Sequence, residues 1–258
     1  MEPAKNSSDD YLGLGRLYLM QGKAGQSYPG FCKALEKSGN KTRTLKRIYS
    51  LFKKANYFKS FLQFLTKVKY QVVSQYDLDM AAAICHMDMK ELDQAKSILI
   101  RLGQTWKKDQ VFYFLAVIAQ KQQDWDQMEL AAHKAVSLKP AEEKYHYLFA
   151  KSLARQKKYS QAESAVSKAI QNAKKDNPWY HNFRASMHWA QENYTLAVSD
   201  WEKAFALKPY KSDFSYRLAQ GYQAMGQFDK ATKSIERALL IAPNNLKYKA
   251  FLKKLESI

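Results

Sequence analysis

No stretch of this 258-residue chain approaches the ~18 to 20 consecutive apolar residues that a bilayer-spanning helix needs, and the opening residues MEPAKNSSDDY carry no apolar core of a secretory signal. The expectation is a soluble, unexported chain in the cytoplasm, with a periplasmic or otherwise exported setting as the alternative if a leader has been removed. Cysteine is almost missing. Cys32 and Cys85 fall in segments that the pattern below keeps apart, so they read as core thiols rather than a bridge. Histidine is scarce, at five residues, and the motifs of enzymatic chemistry are missing: no H-E-x-x-H, no paired C-x-x-C, no glycine-rich phosphate loop, no G-x-S-x-G. His146 and His181 occupy equivalent places one period apart, but no cysteine or acidic cluster joins them, so no metal site is expected. No catalytic residue and no cofactor is expected either. Acids are the last shortage: 24 Asp and Glu face 42 Lys and Arg, a formal charge of +18 that favours polyanions, anionic surfaces or acidic proteins as partners.

What is abundant is helical periodicity. From Asp213 to Met225, Phe214, Leu218, Tyr222 and Met225 recur at three- and four-residue steps, the period of one apolar helix face. Gly226 supplies a cheap left-handed stop, and from Asp229 a second helix carries Ala231, Ile235, Ala238, Leu239 and Ile241 on one stripe until Pro243 ends it. Ala219, Ala231 and Ala238 sit on the facing stripes, where a short side chain lets two backbones approach.

A helix pair of this length cannot enclose its own apolar surface, so it should recur. Stepping upstream by roughly 34 residues, Ala185, Ala197 and Ala204 take the three small places and Pro209 that of Pro243. The next step gives Ala150, Ala162 and Ala169, and the one before it Ala116, a bulkier Met128, and Ala135, with Pro140 at the end. The segment G-x-F-D-K-A at Gly226 to Ala231, followed by A-L-L-I-A-P at Ala238 to Pro243, resembles the tetratricopeptide repeat. The resemblance implies an all-α, right-handed solenoid of antiparallel helix pairs, whose first helices line a concave groove that holds peptides or partner proteins. Clear repeats span 109–142, 143–176, 178–211 and 212–245. Weaker ones span 11–40, 41–75 and 76–108, making about seven in one continuous solenoid over 11–245. Residues 1–10 read as a flexible, polar lead and 246–258 as a capping helix with Tyr248, Phe251, Leu252 and Leu255 turned inward.

Two weak repeats carry irregularities. In the first, Gly15 and Ser27 take small places, while Pro29 should kink the second helix or delay its start. In the second, Ile48 and Ser60 stand where small residues belong and Lys67 replaces the third alanine. That stretch holds nine Lys or Arg and no acid; Lys41, Arg43, Lys46, Arg47, Lys53, Lys54 and Lys59 form its basic patch. The patch reads as a solvated face that keeps the chain soluble, or as a docking site for an acidic partner. With Tyr49, Phe52, Tyr57 and Phe58 interleaved, it also admits nucleic acid.

The faces of the first helices turned away from their partners are the expected binding surface: Tyr113, Val117 and Lys121, then Lys144, Tyr147, Lys151 and Arg155, then Trp179, Asn182 and Trp189, and finally Tyr216. Met80 and Met87, and Leu45, Tyr49 and Phe52, hold the equivalent places upstream. Rigid aromatics give contact area at low entropic cost and cations can clamp a carboxylate, so the surface suits a protein or peptide with acidic and apolar residues. The spaced Lys and Asn residues with which chaperone-binding relatives clamp a terminal carboxylate do not occur, which argues against a chaperone tail as ligand. The reading is a non-enzymatic scaffold for a partner protein. Nucleic-acid binding through 41–69, or a place as accessory subunit of a cell-envelope transport or assembly machine, are the alternatives, and self-association into a homo-oligomer is left open.

Overall fold

The structure, a computed structural model, describes residues 7–257, and among them the chain forms fifteen helices and no strand. It divides into two compact units, one up to Ile118 and one from Ala119, where the repeat pattern leads one to expect a continuous array. Of the lead expected to be flexible, 1–6 lie outside the described residues, but Ser7 to Asp10 are not loose. Ser7 Oγ accepts from the Asp10 amide at 3.3 Å while the Asp10 carboxylate accepts from the Ser7 amide at 2.7 Å, a reciprocal cap that starts the first helix.

The first unit holds α1 (Ser8–Met20), α2 (Ala24–Lys37), α3 (Lys41–Lys54), α4 (Phe58–Leu65), α5 (Gln75–Asp88), α6 (Leu92–Trp106) and the part of α7 (Asp109–Gln122) that reaches Ile118. Its core is aromatic: Phe31, Phe52, Phe61 and Phe64 are fully buried, with ring centroids 5.4 to 6.1 Å apart. Gly15 is required for that packing. A Cβ there would lie 2.3 Å from the Phe31 ring. The two irregularities resolve locally. Pro29 is accommodated inside α2 without delaying it, since the helix begins two residues after Gly22 just as the last hairpin's second helix begins two residues after Gly226. Lys67 never opposes a neighbouring backbone, because α4 stops at Leu65 and buried Val68 and Val73 return the chain to the core.

The second unit holds α8 (Trp125–Leu138), α9 (Glu143–Arg155), α10 (Tyr159–Asn172), α11 (Pro178–Ala190), α12 (Tyr194–Leu207), α13 (Ser212–Ala224), α14 (Phe228–Ile241) and α15 (Leu246–Leu255). α9 pairs with α10, α11 with α12 and α13 with α14, and the nine alanines at the small places of these three hairpins are all fully buried. Pro178 opens α11 at its first turn, where its missing N–H costs nothing, and Asn177 caps it by accepting from the Trp179 amide at 3.0 Å. Gly221 adds a contact the pattern did not reveal: a Cβ there would meet Val198 Cγ2 at 2.4 Å, so α13 lies on α12 only because that side chain is missing.

The turn inside each hairpin is built the same way. One residue takes a left-handed φ between 59° and 78°: Gly22, Asn56, Lys90, Gln123, Lys157, Glu192 and Gly226 in succession. The amide after it bonds back to the carbonyl five residues earlier, as in Lys158 to Leu153 at 2.9 Å and Gln227 to Tyr222 at 2.8 Å. These are Schellman closures, which satisfy carbonyls that the helix end would otherwise orphan.

Candidate functional site

α9 presents its candidate residues as a row one turn apart. Tyr147 packs against Tyr180 with ring centroids 4.7 Å apart and edge-on to Phe183 at 5.3 Å. Lys151 Nζ lies over the Tyr147 ring at 5.6 Å, and the Arg155 guanidinium over the Trp125 ring at 5.2 Å. Burial, and secondarily the charge of Arg155, lowers the Lys151 pKa below the usual lysine value. Among the described residues neither Lys151 nor Arg155 is paired with a carboxylate. The nearby acid is taken: Glu129 accepts from Lys158 Nζ at 2.8 Å and from Gln156 at 2.6 Å, and the Lys158 hydrogen bond leads in depressing its pKa.

The other expected residues divide. Lys144 is committed to Glu142 at 3.0 Å. Trp179 is 43% exposed, edge-on to Phe214 and beneath Lys208 Nζ, so it presents one face to solvent. Asn182 is half-buried, and its side-chain oxygen accepts no hydrogen bond. Trp189 packs on Tyr194 and Trp201, with centroids 4.9 and 5.6 Å away, and serves the core more than the surface. Tyr216 is not a surface residue: α15 covers it, stacking Tyr248 on it at 5.0 Å and leaving it 5% exposed. Lys121 is exposed in the second unit, whereas Tyr113 and Val117 belong to the first, half-buried, with Val117 packed on the core around Tyr76. Met80, Met87, Leu45 and Phe52 are buried and offer no surface, because the large residues at these places fill the first unit's core.

The basic patch is partly spent inside the fold. Lys41 Nζ donates to the Leu35 and Glu36 carbonyls at 2.7 Å and closes the end of α2, Arg47 pairs with Asp9 and Lys53 with Asp88, both at 2.7 Å. Arg43, Lys46, Lys54 and Lys59 are exposed. Phe52 is fully buried and Tyr49 donates its hydroxyl to Asp88 at 2.5 Å, so those two rings are not free to stack bases.

A charged cluster behind α11 had no signal in the repeat pattern. Asp200, on α12 and 3% exposed, accepts a two-pronged bond from Arg184, Nε at 2.7 Å and Nη2 at 2.8 Å. Arg184 also donates to Ser167 on α10 at 3.1 Å, so one guanidinium ties three helices. His181 Nε2 pairs with Asp176 at 2.7 Å, while its Nδ1, 3.5 Å from Asp200, feels that charge without an aligned hydrogen bond. Burial pushes the Asp200 carboxyl up, but Arg184 and His181 outweigh it and hold the carboxyl at about 2. Asp200 in turn raises His181 above its ordinary value against the effect of burial, with Asp176 assisting. Arg184 and His181 Nε2 are engaged within this cluster, which holds α11 against α10 and α12. Among the described residues no group of three His, Cys, Asp or Glu is placed to hold a metal, and no helix is long and apolar enough to cross a membrane.

Helical hairpins closed by one repeated turn, stacked through alanines and carrying aromatic and cationic side chains on their first helices, define a helical-repeat protein. Residues 188–255 match the family model described as Tetratricopeptide repeat, and solved structures of such repeats share the fold along most of the chain. The C-terminal part of a repeat-containing protein from Cytophaga hutchinsonii superposes with a TM-score of 0.67 at 14% identity, covering 93% of this chain and 98% of that one. The Cut9–Hcn1 hetero-tetramer of the APC/C matches with a TM-score of 0.64 at 13% identity, over 98% of this chain and 49% of its counterpart. Among curated proteins, unc-45 homolog B from Danio rerio is 32% identical over 103 residues, 38% of this chain. The match spans only 11% of that relative's length.

Proposed function

We propose that the chain is a non-enzymatic scaffold that holds an acidic, partly apolar segment of a partner protein along α9 in its second unit. The observation that carries this reading is the row Tyr147, Lys151 and Arg155, in which two cations rest on aromatic rings with no carboxylate of their own. A cation over a ring face gains about 0.5 to 1 kcal/mol at an exposed site and keeps its outward donors free. An incoming carboxylate supplies the missing charge, and Tyr147 and the open face of Trp179 supply apolar area. The known assembly of Cut9 with Hcn1 shows the same fold engaged with a protein, which fits this use.

The nucleic-acid reading through 41–69 is weaker, because three of its cations and two of its rings serve the fold. The test is affinity capture with mass spectrometry, using the native chain beside a Tyr147→Ser, Lys151→Glu, Arg155→Glu variant. The variant should lose a specific protein while keeping its helices by circular dichroism, with a lower melting temperature because Tyr147 packs on Tyr180 and Phe183. Recovery of that protein by both forms would remove the placement on α9.

A further inference from the structure

A cavity of about 290 Å³ lies in the second unit between α12 and α14, the second helices of their hairpins, and it shares no residue with the row on α9. Leu218 on α13, 6% exposed, and the rings of Phe205 and Tyr222 give it an apolar lining. Lys233 and Arg237 on α14, both exposed, supply its cations.

The internal repeat explains why space is left here. Repeats 178–211 and 212–245 run in register, so His181, Arg184 and Asp200 stand at the places of Ser215, Leu218 and Ser234. One seam earlier, among α10, α11 and α12, Arg184 occupies that place and is bonded to Asp200 at 2.7 and 2.8 Å and to Ser167 at 3.1 Å. In the seam before that, Phe149 holds the same position and packs on the His133 ring with centroids 5.5 Å apart. At α13 the filler is shortened to leucine. The carboxylate is replaced by Ser234, whose hydroxyl turns away to the Lys230 carbonyl at 2.7 Å. Ser215, 1% exposed, also lines the cavity, and its hydroxyl has no hydrogen-bond partner among the described residues, although buried polar groups as a rule find one.

The charge is unbalanced as well. Arg237 lays its guanidinium over the Phe205 ring at 4.4 Å, and neither it nor Lys233, one turn before it, pairs with a carboxylate among the described residues. The acid in the lining, Glu202, accepts from the Tyr222 hydroxyl at 2.5 Å. Two cations against one carboxylate leave a single positive charge, which a monocarboxylate neutralises and a phosphate dianion overshoots.

We propose that this cavity is a binding site for a small organic monocarboxylate with a compact apolar body. Ser215 and Arg237 stand equally far from Gly226 along the antiparallel hairpin, so the carboxylate meets both at one level, while the body lies against Leu218 and the two rings. Ligand pockets run from about 300 Å³ upward, so the size suits a free small molecule rather than a segment of a protein.

The probe is phenylbutyrate, titrated into the full chain and followed by saturation-transfer NMR. Saturable binding is expected, weaker by at least about tenfold for uncharged phenylbutanol and for Arg237→Gln. Leu218→Arg with Ser234→Asp rebuilds the filling of the preceding seam and should abolish binding, whereas Lys151→Glu on α9 should leave it unchanged. Circular dichroism checks that each variant keeps its helices, and Arg237→Gln, at an exposed position, remains decisive if the double substitution disturbs the seam. The proposal is overturned by the absence of saturable binding, by equal binding of phenylbutanol, or by insensitivity to both cavity variants. Loss of binding in Lys151→Glu overturns it too, and tighter binding of phenyl phosphate overturns the choice of a carboxylate. Because the probe reads the seam of α12, α13 and α14 and contains no peptide, failure here leaves the α9 reading intact, and the reverse holds.

Discussion

At the residue scale, the hairpin turns separate what composition reveals from what geometry demands. Gly22 and Gly226 mark their turns in the sequence because glycine takes a left-handed φ without penalty. The same conformation at Asn56, Lys90, Gln123, Lys157 and Glu192 is held by the closing hydrogen bonds against a local cost, so those turns were visible only through the alanine spacing around them. Relieving that cost should show directly. Lys157→Gly is expected to raise unfolding free energy by about 0.5 to 1 kcal/mol, and Gly226→Ala to lower it by about 1 to 2 kcal/mol, both measured by urea titration. Gly221 behaves differently, since its φ is helical and the constraint is space. Gly221→Ala must displace Val198 and should cost about 1 to 3 kcal/mol, although alanine is the better helix former; a stabilised variant would show that α13 can retreat from α12 freely.

Among elements, α11 is tied to α10 and α12 by one guanidinium, and this anchor was not legible. Small residues at fixed spacing announce which faces meet, whereas the meeting of Arg184 with Asp200 depends on side chains reaching across three helices and leaves no period in the sequence. Arg184→Met removes one partner of a buried pair and strands the Asp200 carboxylate, a loss of about 3 to 5 kcal/mol. The cluster also sets a pH dependence. Asp200, held at about 2 against an ordinary 3.8, contributes stability that is complete above 3.8 and is lost as pH falls toward 2. His181, raised from 6.5, contributes stability that is complete below 6.5 and is lost as pH rises through its raised value. Urea unfolding followed by tryptophan fluorescence, which reports chiefly on this unit through Trp125, Trp179, Trp189 and Trp201, should therefore be most resistant between 3.8 and 6.5. His181→Gln should flatten the alkaline arm and, by removing one of the two groups that hold the Asp200 carboxyl down, weaken the acid arm as well. The Tyr216 reading failed at this same scale: its place on α13 matches that of a groove residue, but α15 closes the hairpin's end and takes the ring as its own packing partner.

For the whole chain, charge decides what can approach. A formal +18 repels other basic surfaces and draws acidic ones, and its effect falls on encounter rate more than on lifetime. Stopped-flow association with an acidic partner should slow as salt is added, with dissociation changing much less. Fold class was legible in the chain because the repeat writes its stacking residues at a fixed period. Function was legible only in part, because the surface-facing places carry no such rule: of the aromatics expected there, Tyr147 and Trp179 retain accessible area while Tyr216 does not.

The most direct measurement is the affinity of the purified captured partner for the native chain and for Lys151→Glu, Arg155→Glu, by calorimetry at fixed salt. The account predicts at least about a hundredfold weakening with helical content by circular dichroism retained, since both cations act chiefly on the partner. Equal affinity of the two proteins would contradict it.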